Sequence, residues 1–142
     1  MNILKTTFFL LFLLCISCNN KDDNHPQKCA IDVIENSSQF FNAPDDEHEI
    51  SNAVLQDGCL VLDFRAGGCD GDTWEIKIID SGEVSPGNPP ERTIRLSLKN
   101  DEDCEAYITK SVSIDISQLE IENSNSLLLN ILGWDSPLEY NY

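Results

Sequence analysis

Residues Cys59–Asp80 read CLVLDFRAGGCDGDTWEIKIID, and their period decides the fold class. Leu60, Leu62 and Phe64 fall on one face of an extended chain, with polar residues between them. The run ends in the turn GGCDGD, after which Trp74, Ile76 and Ile78 alternate up to Ser81-Gly82. Strict alternation places one face against a core and the other in water, which is the pattern of a half-buried strand. Two such strands joined by a Gly- and Asp-rich turn predict an antiparallel pair.

The same period continues outward from this pair. Ile94, Leu96 and Leu98 alternate in RTIRLSLK, beyond the Pro- and Gly-rich loop SPGNPPE. After the acidic turn NDEDC come Ile108, Val112, Ile114 and Ile116, and then SLLLNILGW and LEYNY. Short strands separated by turn signals predict an all-β domain, an antiparallel β-sandwich of immunoglobulin-like or similar type. Trp74 is expected at the centre of its core, and Trp134, followed by Asp135-Ser136-Pro137, as a plug at a strand end. The stretch QKCAIDVIENSSQFF fits strand and helix equally, and no other segment shows helical periodicity.

Upstream of the domain the chain changes character. Met1–Ser17 carries Lys5 and nine consecutive apolar residues, Phe8 to Ile16. That is well short of the roughly 20 that span a bilayer as a helix. It reads as a cleaved secretory signal peptide. Leu14-Cys15-Ile16-Ser17-Cys18 resembles the bacterial lipobox, which implies cleavage before Cys18 and lipidation of its thiol. Several acyl chains hold a protein on a membrane stably, whereas one is marginal. Lys21-Asp22-Asp23, directly behind it, resembles the signal that exports lipoproteins of the Bacteroidota to the cell surface. The expected organisation is a lipoprotein signal peptide over 1–17, a polar tether over 18–28 and a single sandwich domain over 29–142.

Charge narrows the partners. The chain has 9 basic and 25 acidic side chains; cleavage removes Lys5 and no acid, for a mature net charge of −17. Nucleic acid needs a basic footprint that is missing here. Adhesion to anionic lipid by charge is equally disfavoured, so the membrane is reached through the acyl chains on Cys18. The remaining partner is a protein or a glycan.

Four cysteines remain after Cys15 is discarded and Cys18 is lipidated: Cys29, Cys59, Cys69 and Cys104. Export through an oxidising compartment makes disulfides the default. Zinc is disfavoured because no C-x-x-C pair occurs and the histidines are only His25 and His48. Three pairings are possible and spacing does not choose among them. The preferred one joins Cys69 with Cys104 and Cys29 with Cys59, closing two loops worth about 3.5–4 kcal/mol each in the chain-entropy picture.

The segments CLVLDFRAGGCDGDTWEIKIID and RTIRLSLKNDEDCEAYITKSVSIDISQL resemble the C-terminal β-sandwich domain of NigD-like lipoproteins of the Bacteroidota. The resemblance rests on Gly67-Gly68-Cys69 followed by an aromatic residue, on Asp103-Cys104-Glu105-Ala106 and on Asp115-Ile116-Ser117-Gln118-Leu119. It covers roughly residues 50–142, and it implies a β-sandwich on a lipid anchor; about activity it implies little, the family's name coming from an association with a bacteriocin locus and a suspected immunity role. Two departures stand out: the Asp70-Gly71-Asp72-Thr73 turn, and Cys29 with Cys59 as an added pair.

Chemistry is sparse. His48 lies in the acidic run DDEHE, His25 lies in the tether, and no nucleophile sits beside a base in sequence. Asp70 and Asp72 are weak candidates for calcium, with Asp101, Glu102 and Asp103 brought near if Cys69 pairs with Cys104. Asp-Gly is equally ordinary hairpin-turn chemistry. No cofactor is expected. The leading expectation is a non-enzymatic, surface-exposed outer-membrane lipoprotein acting as an interaction or immunity-type module. The alternative is a small glycan- or calcium-binding accessory lipoprotein.

Overall fold

A computed structural model describes residues 28–142; Cys18, Lys21–Asp23 and His25 lie outside them. Eight strands form: β1 (Ile31–Glu35), β2 (His48–Gln56), β3 (Cys59–Gly68), β4 (Glu75–Ser85), β5 (Glu91–Lys99), β6 (Ala106–Asp115), β7 (Ser126–Ile131) and β8 (Leu138–Asn141). One short helix, α1 (Ser37–Asn42), follows β1, and a 3₁₀ turn at Ser117–Leu119 follows β6. The ambiguous QKCAIDVIENSSQFF segment is thus strand and then helix. Asn36 divides the two, its side chain accepting from Gln39 N as an N-cap at 2.9 Å.

The class is all-β, but the expected antiparallel arrangement needs correction. A single mixed sheet runs in the order β2-β3-β6-β1-β4-β5-β7-β8. The pairings β1–β4, β1–β6 and β5–β7 are parallel. Ile31 and Asp32 pair with β6, and Val33 to Glu35 pair with β4. One five-residue strand therefore joins the two halves of the sheet. Alternation reports which face of a strand is buried and is silent on the direction of its neighbours, so this could not be read from the period.

The core faces follow the alternation closely. Leu60, Leu62, Phe64, Ile78, Ile94, Leu96, Leu98, Ile114, Leu127 and Leu129 are buried in one cluster. Trp74 belongs to this cluster but does not occupy its centre. It precedes β4 in the turn and packs on Phe64, the ring centroids 5.9 Å apart. Trp134 follows β7, part-buried against the core.

Alternation fails where a second layer covers the sheet. Ile79, Arg95 and Ser97 are buried although they alternate with core residues and so face outward. Helix α1 and residues 43–46 lie over them. Arg95 Nη1 meets Asp45 Oδ1 at 3.0 Å, and its Nη2 donates to the carbonyls of Ala43 (2.7 Å) and Gln39 (3.3 Å). Ser97 Oγ donates to the Pro44 carbonyl at 2.7 Å. A buried guanidinium whose two terminal nitrogens donate to two carbonyls and one carboxylate, its Nε left without a partner, pins the helix to the outer face of β5.

The disulfides join Cys29 to Cys59 and Cys69 to Cys104. Cys59 is the first residue of β3 and Cys69 follows its last. At about 3.3 Å per residue the two bridges are separated by about 30 Å along that strand.

Candidate functional site

Three connections converge at one end of the sheet: 43–47 before β2, 69–74 between β3 and β4, and 100–105 between β5 and β6. The register puts them there, with Gly68 opposite Ala106, Glu75 opposite Lys99 and His48 opposite Ala66. Asn100 ties all three together. Its backbone N–H donates to Asp46 Oδ2 (2.7 Å), its Nδ2 to the Gly67 carbonyl (2.7 Å), and its Oδ1 accepts from Glu102 N (3.0 Å).

Glu102 then enters the turn after β3. Its Oε2 accepts from the backbone of Cys69 (2.6 Å), Gly71 (3.1 Å) and Asp70 (3.3 Å). Its Oε1 accepts from the Thr73 hydroxyl at 2.8 Å and from Thr73 N at 3.4 Å. Successive N–H groups curled around an oxygen form an anion-binding nest, here filled by a carboxylate of the same chain. Desolvation pushes the Glu102 pKa up. The hydrogen bonds from Thr73, Cys69 and Gly71 outweigh it and hold the carboxyl at about 2.

The approach is close enough to require glycine. A Cβ at Gly68 would stand 2.6 Å from Glu102 Oε2 and 3.0 Å from the Trp74 ring. The Cys69–Cys104 bridge closes the same two loops covalently.

The calcium candidates are otherwise engaged. Asp70 Oδ1 accepts from Asp72 N at 2.9 Å, and the Asp72 carboxylate pairs with Lys110 Nζ at 3.1 Å. Of the three acids anticipated nearby, Glu102 arrives but turns into the nest, while Asp101 pairs with Lys99 at 3.4 Å. Among the described residues no group of three or more His, Cys, Asp or Glu is arranged to hold a metal ion. His48 Nδ1 lies 2.7 Å from the Asp46 carbonyl oxygen, its ring edge-on to Phe64.

Between these loops lies an open hollow of about 300 Å³, walled by Glu47, Asn100, Glu102, Asp103 and Tyr107. Tyr107 is 64 % exposed, and Arg65 stands over its ring at 5.9 Å. The result is a shallow acid-walled surface with one aromatic face, braced by a disulfide and a five-bonded carboxylate. It can accept hydrogen bonds and counter positive charge. Sequence reasoning named the acids here but not the roles of Asn100 and Glu102, which depend on partners 29 to 54 positions away.

The fold and site define a disulfide-stapled, mixed-sheet β domain with a braced acidic end. No protein-family profile matches the chain, and no curated protein matches it in sequence. Two crystal structures share the fold. One is a putative toxin-related protein from Parabacteroides distasonis ATCC 8503, with TM-score 0.53 and 17% identity, covering 80% of this chain and 60% of that one. The other is a protein of unknown function, DUF1344, from Bacteroides vulgatus ATCC 8482, with TM-score 0.50 and 11% identity, covering 79% and 54%. At these identities the likeness establishes the fold alone. The chain spans between half and two thirds of the length of either neighbour.

Proposed function

We propose that this chain is a non-enzymatic, lipid-anchored binding module of the cell surface, of the NigD-like type. The acyl chains sit on Cys18, and the acidic end engages a partner protein through a basic surface. In fold, we read the curled sheet as a sandwich-type body whose two layers share β1.

The observation that carries this reading is the placement of the two staples. Cys29, where the tether joins the body, is bonded to the first residue of β3, and the braced acidic loops follow its last. A domain held from the Cys29 end therefore presents Glu47, Asp103 and Tyr107 about 30 Å away from the point of attachment. Loops positioned by a rigid scaffold are the usual carriers of binding. The oxidised cysteines hold no thiolate for nucleophilic chemistry.

Metabolic labelling with an alkyne palmitate analogue tests the anchor. The wild-type protein should take label and partition with membranes, and Cys18→Ala should do neither. Equal labelling of the two, or recovery of the unprocessed wild type in the aqueous fraction, refutes the anchor. Protease shaving of intact cells then reports which face of the envelope the domain occupies.

A further inference from the structure

The two disulfides sit at opposite ends of β3 and differ in exposure. Cys29 and Cys59 are each 4% exposed. Cys69 and Cys104 are both exposed, and Cys104 lines the open hollow at the acidic end. This second bridge also lies outside the ladder it closes. The β3–β6 pairing ends with Gly68 opposite Ala106, one residue before Cys69 and two after Cys104. Breaking the bridge therefore removes no strand pairing.

The charge cluster within the sheet is closed by comparison. Asp80 is fully buried, its Oδ2 accepting from Arg92 Nη1 at 2.6 Å and from Gly82 N at 3.1 Å. A reagent in solution reaches the acidic end and its bridge, and is kept from this cluster.

The bridged loops have a second fastening, which is not covalent. Glu102 accepts from five donors on residues 69–73, so it holds the loop after β5 to the turn after β3. The two fastenings act on the same pair of loops and support each other. With Glu102 docked, the thiols of a reduced Cys69 and Cys104 stay close together, which raises their effective concentration and favours the oxidised form. By linkage, the bridge holds Glu102 in its nest by the same factor.

We propose that Cys69–Cys104 is a reducible switch of the acidic end, opened by a dithiol reductant while Cys29–Cys59 stays closed, with Glu102 setting how readily it opens. One thiolate of the dithiol attacks a sulfur of the bridge; the S–S bond breaks, and the departing sulfur takes up a proton. The second thiol of the reductant then displaces the first from the mixed disulfide. The bridge gains two electrons and two protons, and the dithiol becomes a disulfide. Exchange of this kind depends on access to the sulfur, which the exposed bridge grants and the buried one denies. Once it is open, residues 100–105 are held to the turn by non-covalent contacts alone, and Asp103 loses its fixed place in the wall of the hollow. The ladders and Cys29–Cys59 keep the rest of the sheet in place. The inference is independent of the Cys18 anchor and of what the acidic end binds.

The test is a redox titration of the folded protein. Any thiol free at the outset is blocked with N-ethylmaleimide. The protein is then equilibrated with mixtures of reduced and oxidised dithiothreitol, relabelled with deuterated N-ethylmaleimide and mapped by peptide mass. Cys69 and Cys104 should reach half-labelling at a reduced-to-oxidised ratio at least about tenfold below that for Cys29 and Cys59. At ratios between the two midpoints, hydrogen exchange should rise in 69–74 and 100–105 and stay unchanged in β4 and β5. Glu102→Gln should lower the Cys69–Cys104 midpoint by a further factor of about ten and leave the other in place. Reduction of both bridges together, earlier reduction of Cys29–Cys59, or unchanged exchange in the two loops overturns the switch. An unmoved Cys69–Cys104 midpoint in Glu102→Gln overturns the part given to Glu102, and the wild-type titration decides the order of the bridges even where that variant folds poorly.

Discussion

Arg92→Met isolates the buried charge cluster, and its consequence can be worked from the geometry. The substitution keeps an unbranched apolar stem in a site where the Arg92 side chain is 11% exposed and removes the guanidinium. Asp80 is left with the Gly82 N–H on Oδ2 and nothing on Oδ1. Stranding one member of a buried pair typically costs about 3–5 kcal/mol. Asp80 has one escape, which is to take up a proton. Burial already raises its pKa above the usual 3.8, and the Arg92 charge works against that rise.

Removing Arg92 therefore moves the folded-state pKa higher still. A carboxyl whose folded pKa lies above its unfolded value supports the fold fully below the unfolded pKa and loses that support as pH rises through the folded one. The variant should thus be about 3 kcal/mol less stable than wild type near pH 7. The gap should narrow as pH falls toward the range in which Asp80 is protonated. Urea unfolding with a common slope, run as a pH series, measures both. Asp80→Asn combined with Arg92→Met should recover most of the loss, because a neutral amide has no charge to strand. A deficit below about 1 kcal/mol near neutrality, or one that does not change with pH, would mean that Asp80 is reached by water and that the cluster is not sealed.

Glu102 titrates in the opposite sense. Its folded pKa of about 2 lies below the usual 4.5, so its contribution is full above the unfolded value and is lost as pH falls through the folded one. Glu102→Gln should flatten the acid limb of the wild-type stability profile between those values, and identical acid limbs would contradict the nest. Replacing Cys69 and Cys104 together with alanine should lower stability in urea by about 3.5–4 kcal/mol for a loop closing 35 positions; a loss under about 1 kcal/mol would show the nest alone holds the loops. Arg95→Met removes donors to the Gln39 and Ala43 carbonyls and the partner of Asp45. It should cost about 2–4 kcal/mol and raise hydrogen exchange at Phe40 and Ala43, whereas unchanged exchange would show that Arg95 does not pin the helix.

What the residues determined on their own was the local chemistry of the chain. Period two from Cys59 onward set the all-β class and the inward face of Leu60, Leu62, Phe64, Ile78, Ile94, Leu96 and Leu98, because a strand's side chains alternate whatever its neighbours are. The even cysteine count marked a cross-linked body, and the acid excess set the character of the loops. The tertiary structure alone decided which strands are neighbours. It inserted β1 between β4 and β6 in parallel, and it covered Ile79, Arg95 and Ser97 with a helix. It also delivered Glu102 to five donors in a turn about 30 positions away. Each of these depends on contacts between segments distant in sequence, and periodicity carries no term for such contacts. An outward-facing arginine becomes a buried clamp only when another part of the chain comes to lie on it.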